Sequence, residues 1–189
     1  YGLGVCFARG EGVAKDLVEA VKWFRKAAEQ NLTAAQFNLA VCYDDGQGVT
    51  KDAVEAVKWL RKAAEQNLSA AQYNLGVCYF KGEGVAKDYA EAYKWTLLAA
   101  AQGDETARKF ITIQEGLMTR EQIAEGQTLA RNFKPRVAPS GGNDFSGTNI
   151  LETRPESSGT GFFITDDGYL ITNEHVVRDA AQVRLVTSA

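Results

Sequence analysis

A 36-residue period governs the first hundred residues of the chain. A cysteine, a tryptophan and a Lys-Asp pair each recur at that interval, the tryptophans at positions 23, 59 and 95. A period of about 20 to 50 residues is typical of a supersecondary unit that buries its apolar face only against its neighbours in a stack. The repeat therefore predicts a stacked array.

Each unit carries the signals of two helix starts. Thr33 and Ser69 are each followed three residues later by glutamine, which predicts a capping box at the start of a first helix. An aspartate followed three residues later by glutamate predicts the N-cap of a second helix, where the carboxylates also suit the helix dipole. These aspartates are Asp16, Asp52 and Asp88.

Glycine and asparagine mark the turns between these helices. Paired glycines lie between the first and second helix of each unit, at 10 and 12, 46 and 48, and 82 and 84, and predict a reversal loop. Asn31, Asn67 and Gly103 follow the second helices, where a left-handed residue is commonly needed. Small residues at 4, 40 and 76 predict close contacts between helices.

The second helices have one apolar side. In the first of them Ala20, Val21, Phe24 and Ala27 recur at three- and four-residue spacing. The three tryptophans lie beside these alanines and valines, so we interpret them as core residues in preference to an aromatic binding ladder. The charged residues of the same helices are interpreted as a solvated face.

These repeats resemble the Sel-1-like repeat, a short relative of the tetratricopeptide repeat. The resemblance covers residues 1–103, with the first repeat incomplete, and is clearest in residues 70–76 followed by Tyr79, Gly82 and Gly84. It implies a mostly α fold, a right-handed α-α superhelical solenoid of helix-turn-helix repeats that scaffolds complexes or binds peptides on its concave side. Polar residues of the first helices are the predicted peptide contacts: Gln36, Asn38, Gln72 and Asn74.

The repeat is lost after residue 103. Residues 104–134 keep helical signals, including a capping box that begins at Thr119, and predict a helix pair that caps the solenoid. Residues 135–158 are polar, rich in helix breakers and without periodicity, which predicts a flexible linker.

Residues 159–189 change to a β pattern. Two apolar and aromatic runs, 160–165 and 169–173, flank Asp167 and Gly168, and Asp-Gly between such runs predicts a hairpin with a tight turn. The segment resembles the start of a trypsin-like serine protease domain of the HtrA-like type, in residues 159–162, 167–173 and 175–177. The resemblance implies a truncated β-barrel segment in which His175 matches the general base of the catalytic triad.

The other two triad residues are not matched within these 189 residues. Asp179 is too near His175 in sequence to match the family's aspartate, and no Gly-x-Ser-x-Gly motif occurs. The resemblance therefore implies a serine endopeptidase in a longer parent protein, whereas this chain alone should be inactive. The alternative function is a non-catalytic adaptor or peptide-binding scaffold whose β tail is inert.

Charge, hydropathy and cysteine spacing give no sign of nucleic acid, a membrane span or a metal as partners of this chain. The formal net charge of −3, with acids and bases interleaved, gives no indication of nucleic acid, and no apolar run approaches the roughly 20 residues needed to span a bilayer. No cofactor is indicated. The cysteines are 36 residues apart, so none of them has a close neighbour with which to bind zinc. Neighbouring repeats stack about 10 Å apart, and this separation is larger than the ~7 Å between Cα atoms that a disulfide allows. We therefore expect free thiols.

The chain begins at Tyr1, in the middle of the repeat pattern, so its start carries no information on localisation. The resemblances alone suggest an extracytoplasmic or periplasmic site for a bacterial parent. Nothing in the sequence indicates an oligomeric state.

Overall fold

The computed structural model describes residues 1–136, 162–164 and 170–172 of the chain. Within these residues it contains eight α-helices and two short strands. They are α1 (Gly2–Arg9), α2 (Leu17–Glu29), α3 (Thr33–Asp45), α4 (Ala53–Glu65), α5 (Ser69–Lys81), α6 (Tyr89–Ala101), α7 (Glu105–Glu115), α8 (Arg120–Arg131), β1 (Phe162–Ile164) and β2 (Leu170–Thr172).

Consecutive helices pack as hairpins that stack along the chain. Within the repeats α1 packs on α2, α3 on α4 and α5 on α6, and between repeats α2 packs on α3 and α4 on α5. Each unit therefore packs mainly on its neighbours, as the 36-residue period predicts. The predicted helical solenoid is confirmed for the repeat region.

The second helices begin as predicted. Asp16 and Asp88 accept hydrogen bonds from the backbone N–H three residues on, and Asp52 accepts from both Val54 and Glu55. Each carboxylate thus satisfies donors that the first helical turn leaves free.

The first helices begin differently from the prediction. The N-caps of α3 and α5 are Leu32 and Leu68, and neither has a side chain that bonds the helix start, so the predicted capping boxes at Thr33 and Ser69 are wrong. Thr33 lies inside the first turn and its hydroxyl donates to Gln66 Oε1 at 2.9 Å. The polar groups of this Thr-x-x-Gln pattern instead bond residues at the ends of the second helices.

The paired glycines have positive φ, as predicted, and two of them also lie where repeats touch. A Cβ at Gly48 would lie 2.1 Å from the carbonyl oxygen of Leu17, and one at Gly84 would lie 2.0 Å from that of Ala53. The loop of one repeat therefore rests on the start of the preceding second helix, at a distance that only glycine permits.

The other predicted turn and contact residues behave as expected. Asn31 and Asn67 are the non-glycine residues with positive φ among those described, at 66° and 69°, and Gly103 has φ 96°. A Cβ on Gly4 would collide with Phe24, and one on Gly76 with Thr96, which confirms the close helix contacts predicted there.

The repeat core includes two of the three tryptophans, and Trp23 lies outside it. Trp59 and Trp95 are buried, as predicted, whereas Trp23 is half-buried at the first repeat. A continuous cluster runs from Ala8 to Trp95 through the alanines of the second helices and the leucines of the first.

Helices α7 and α8 follow the last repeat and both pack on α6. Thr119 forms the predicted capping box with Gln122 at the start of α8. Gly126 allows the close approach of α8, because a Cβ there would lie 2.8 Å from Ala90 O and 3.0 Å from the Tyr93 ring.

The two strands form an antiparallel pair in which Phe162 faces Thr172 and Ile164 faces Leu170. They lie within the two runs for which the sequence predicts strands. Asp167 and Gly168, for which the sequence predicts the tight turn, lie outside the described residues, so that turn stays a prediction.

Candidate functional site: a groove along the second helices

A groove of about 360 Å³ runs across the second helices of the last two repeats. We call it the second-helix groove. Its lining combines aromatic rings with charges of both signs: Arg61, Glu65, Tyr79, Asp88, Glu91, Lys94, Trp95, Phe133, Lys134 and Arg136.

The chain itself, after α8, forms part of the lining of this groove. After α8 it turns back, and the Phe133 ring packs edge-on against Trp95 with centroids 5.3 Å apart. Three residues later the Arg136 backbone N–H donates to Glu65 O at 2.8 Å, and Arg136 Nη1 lies 3.2 Å from Glu65 Oε2. We call residues 133–136 the docked segment.

These contacts differ in strength. The carbonyl of Glu65 lies at the end of α4, where helix carbonyls have no partner within the helix, so the backbone bond from Arg136 satisfies a free acceptor. The Arg136 side chain is 80% exposed, so its ion pair with Glu65 contributes no more than about 1 kcal/mol. The aromatic and backbone contacts therefore position the docked segment, and the ion pair favours a basic residue at its end.

An arginine-tyrosine pair forms the floor of the groove. Arg61 Nη2 donates to Tyr79 Oη at 2.5 Å, and its guanidinium carbon lies 5.5 Å from the centre of the Tyr79 ring. Burial raises the pKa of Tyr79 above its ordinary value, so the hydroxyl is neutral at physiological pH and accepts from Arg61. The same pair recurs one repeat earlier, where Arg25 donates to Tyr43 with the same 5.5 Å separation from the ring.

Trp95 forms the wall of the groove, and its polar group is satisfied. Its Nε1 donates to Glu91 Oε2 at 2.9 Å, and Lys94 Nζ lies 3.1 Å from the same carboxylate and 4.4 Å from the Trp95 ring centre. Trp95 therefore contacts an ammonium group and the Phe133 ring at the same time.

The equivalent tryptophan one repeat earlier differs in its hydrogen bonding and in which lysine covers its ring. Trp59 is 7% exposed, and no described residue accepts a hydrogen bond from its buried Nε1. Glu55, which corresponds to Glu91, instead bonds Lys58 at 2.5 Å. Lys62 Nζ lies 4.0 Å from the Trp59 ring centre.

Two of the predicted peptide contacts are buried glutamines that join repeats. Gln36 and Gln72 are at most 1% exposed. Gln36 donates to Ala28 O and Asn31 Oδ1 and accepts from Gln66 Nε2 at 2.7 Å. Gln72 makes the corresponding bonds with Ala64, Asn67 and Gln102, so each glutamine connects the preceding repeat to the end of its own second helix.

The two predicted asparagines are placed differently from each other. Asn38 is 1% exposed and donates to Tyr1 Oη and Ala34 O, whereas Asn74 is half-buried. Direct peptide contact by Gln36, Asn38 and Gln72 is therefore not supported, because their side chains are enclosed and bonded within the fold. Of the four residues, Asn74 alone is partly exposed, and its contact with a peptide stays a prediction.

His175, the predicted catalytic base, lies outside the described residues. The structure therefore contributes nothing on its geometry, and its role stays a prediction.

Sequence reasoning missed the groove. The pairs Arg25 with Tyr43 and Arg61 with Tyr79 recur at 36-residue spacing, and that recurrence was the available signal. Phe133 and Arg136 carried none, because nothing in their local pattern shows that the chain returns to the repeats.

The three thiols are free. Burial raises the pKa of Cys42 to about 11, with a smaller effect of the Asp45 carboxylate, and burial followed by Asp44 and Glu83 raises that of Cys78 to about 11. Both are protonated at neutral pH and are therefore poor nucleophiles.

Two further observations apply to the part of the chain that the structure describes. It holds no group of three or more His, Cys, Asp or Glu placed to bind a metal ion. It also has no helix with the length and apolar character needed to cross a bilayer.

The stacked helix pairs define a helical-repeat scaffold of the solenoid class. The Sel1 repeat family model matches three consecutive stretches, residues 1–32, 33–68 and 69–104, in agreement with the helix pairs. The chain belongs to the Sel1 repeat family, whose repeats typically serve protein binding.

Two solved structures are similar to this chain. A Sel1 repeat protein from Oxalobacter formigenes is 44% identical with a TM-score of 0.58, over 59% of this chain and 46% of that one. A protective antigen of uropathogenic Escherichia coli that displays an SLR fold is 33% identical with a TM-score of 0.65, over 85% of this chain and 33% of that one.

One further relative is a protease and not a repeat protein by its name. A probable periplasmic serine endoprotease, DegP-like, from Rhizobium meliloti (strain 1021) is 54% identical over 33 residues, which are 18% of this chain and 6% of that protein. The chain thus spans less than half the length of each of these three proteins.

Proposed function

We propose that this chain recruits a protein partner by holding an extended segment of it in the second-helix groove. The observation that carries the proposal is the docked segment, since residues 133–136 lie against the second helices with an aromatic ring on Trp95 and a backbone bond to the end of α4. The groove beside this segment is lined by aromatic rings and by charges of both signs, which are groups that can hold a further segment of chain.

Selection from a displayed library of random peptides on the 189-residue chain tests this proposal. We expect recovered peptides to bind the chain and to lose affinity when the groove changes by Arg61→Ala. The matched control is Arg108→Ala, an exposed arginine on α7. Peptides that bind both variants alike, or no enrichment at all, would refute the groove as the binding surface.

Asn74 provides a second arm of the same experiment. It is the accessible residue among the four first-helix contacts that the sequence predicts. Loss of affinity on Asn74→Ala, with Arg61→Ala silent, would move the binding surface to the first helices.

We also propose, as a second function, that a longer parent protein carries a trypsin-like serine endopeptidase after the repeats, with His175 as its general base. The supporting observations are the protease-like sequence of residues 159–189, the short similarity to the DegP-like endoprotease, and the antiparallel pairing of β1 and β2. In this arrangement the repeats recruit the substrate or a regulator. The name of that relative also suggests a periplasmic location.

A fluorophosphonate probe tests the second proposal, because it labels only an activated serine. The 189-residue chain should remain unlabelled. A protein extended toward the C-terminus should be labelled, and His175→Ala should abolish labelling. Labelling of the 189-residue chain, or none in the extended protein, would contradict the proposal.

A further inference from the structure

Resting on the proposed function, we infer that the second-helix groove selects an extended peptide with an acidic residue, whose carboxylate binds Arg61. A cavity of about 420 Å³ adjoins the groove, since Glu65 and Arg136 line both. Cations outnumber carboxylates in this joint lining. The cations are Arg61, Lys62, Lys94, Lys134 and Arg136, and the carboxylates are Glu65, Asp88 and Glu91.

All the carboxylates of this lining already have partners within the chain. Glu65 Oε2 lies 3.2 Å from Arg136 Nη1, and Glu91 Oε2 lies 3.1 Å from Lys94 Nζ. Asp88 caps α6, where its Oδ1 accepts from the Glu91 backbone N–H at 3.0 Å. The negative charge of the lining is therefore matched locally, by two cations and by the N-terminal end of a helix.

Some cations of the lining have no such match. Among the residues that the structure describes, no carboxylate pairs with Arg61, Lys62 or Lys134. Lys62 and Lys134 are exposed, so water solvates their ammonium groups and each adds little to binding. Arg61 is half-buried, so its charge is less completely solvated and gains more from an anion.

Tyr79 holds the Arg61 guanidinium in a fixed position. Arg61 Nη2 donates to Tyr79 Oη, and the guanidinium carbon lies 5.5 Å from the centre of the ring. A guanidinium carries five N–H donors in a rigid fork, and this bond uses one of them. The remaining donors suit a carboxylate, because its two oxygens accept parallel hydrogen bonds from such a fork.

A basic partner segment fits this lining less well than an acidic one. Its cations would have to displace Arg136 from Glu65 or Lys94 from Glu91. An acidic segment displaces neither, since Arg61 is bonded to a neutral hydroxyl. Charge complementarity therefore favours an acidic peptide as the occupant.

Two displayed libraries of random decapeptides test this inference on the 189-residue chain. One library allows aspartate and glutamate, and the other has asparagine and glutamine in their places. We expect the first library to yield binders that share an acidic position. Synthetic copies of these peptides should lose affinity about 5- to 50-fold, by fluorescence anisotropy, when that acidic residue is replaced by its amide.

Variants of the chain show whether Arg61 receives the carboxylate. Arg61→Gln should remove the difference in affinity between the acidic peptide and its amide form. Arg61→Lys should keep a smaller difference, because an ammonium retains the charge but not the fork. Arg25→Gln is the matched control and should leave the difference intact, because Arg25 makes the same pair with Tyr43 one repeat earlier.

Three outcomes would overturn the inference. The first is equal affinity for the acidic and amide peptides, or a difference that Arg61→Gln leaves unchanged. The second is loss of the difference in Arg25→Gln as well, which means that both arginines act through the stability of the repeats. The third is tighter binding after Asp144→Asn, Glu152→Gln and Glu156→Gln are combined, which means that acidic residues of this chain compete for the site.

These results are separable from failure of the proposed function. If peptides bind in dependence on Arg61 but without preference for the acidic form, the groove binds partners and only its selectivity is wrong. If no peptide binds in dependence on Arg61, the proposed function itself fails.

Discussion

At the scale of single residues, the partners of a polar side chain decide its role. Gln36 and Gln72 have the residue type and helix position of ligand contacts, yet each is enclosed and bonds the preceding repeat and the end of its own second helix. Sequence spacing places them on the first helices but cannot show whether that side of the helix meets solvent or another repeat.

The interrepeat amide bonds predict a difference between two matched glutamines. Gln66→Met removes the bonds to Gln36, Asn31 and Thr33 and should lower the free energy of unfolding by about 1–3 kcal/mol. Gln30, at the same position of the first repeat, is exposed, so Gln30→Met should change stability by less than about 0.5 kcal/mol. Urea unfolding followed by tryptophan fluorescence measures both, and equal effects would contradict this role of the amides.

A second residue-scale prediction separates backbone strain from repeat packing. Gly12 and Gly84 have φ values of 71° and 68°, but a Cβ at Gly12 meets nothing within 4 Å whereas one at Gly84 meets Ala53 O at 2.0 Å. Gly12→Ala should destabilise by about 1–2 kcal/mol, and Gly84→Ala by about 2–5 kcal/mol because overpacking adds to the strain. Thermal unfolding of both variants checks this, and a Gly84 effect no larger than that of Gly12 would show that the loop does not rest on α4.

The cysteines predict how stability depends on pH. Because burial raises the pKa of Cys42 and Cys78 to about 11, folding favours the protonated thiols. The stabilisation is fully present below the ordinary thiol pKa of 9.0 and is lost as pH rises toward 11. Urea midpoints should therefore fall between about pH 9 and 11, and a Cys42→Ala, Cys78→Ala double variant should show a smaller fall. If the urea midpoint of the double variant fell as much as that of the unaltered chain, the loss of stability would come from groups other than these two thiols.

At the scale of helices and turns, the sequence predicts the structure best where a single local signal determines it. The aspartate N-caps, the positive-φ glycines and asparagines and the Thr119 capping box all depend on a few adjacent residues, and the structure has them as predicted. Helices α3 and α5 begin where the sequence predicts, but their capping boxes are absent because Thr33 and Ser69 bond residues of other repeats or helices, which local spacing does not reveal. The docked segment was missed for the same reason.

Docking of α8 on α6 predicts a contrast between two glycines. Gly126→Ala places a Cβ against Ala90 O and Tyr93, and should separate α8 from α6 and speed amide exchange across residues 120–136. Gly116→Ala meets no atom closer than 3.6 Å at an ordinary φ of −71°, and should leave exchange unchanged. Hydrogen-exchange mass spectrometry compares them, and unchanged exchange in Gly126→Ala would contradict the tight packing of α8.

At the scale of the whole molecule, we propose that the repeat array and the protease-like tail are two separate regions, which residues 135–158 are predicted to join. The sequence predicts a flexible linker there, and residues 137–158 lie outside the described part of the chain. Limited digestion with a nonspecific protease should first cut within residues 137–158 and release the repeat region intact. First cuts within the repeats would contradict this division of the chain.

The account depends most on the docked segment, residues 133–136, lying against the second helices. Amide exchange of Arg136 measured by NMR tests that directly, because its N–H donates to Glu65 O. We predict exchange at least about 10-fold slower than in an unstructured peptide, with the protection lost in Phe133→Ala while the amides of α4 and α6 stay protected. Exchange of Arg136 at the unstructured rate in the unaltered chain would contradict the account.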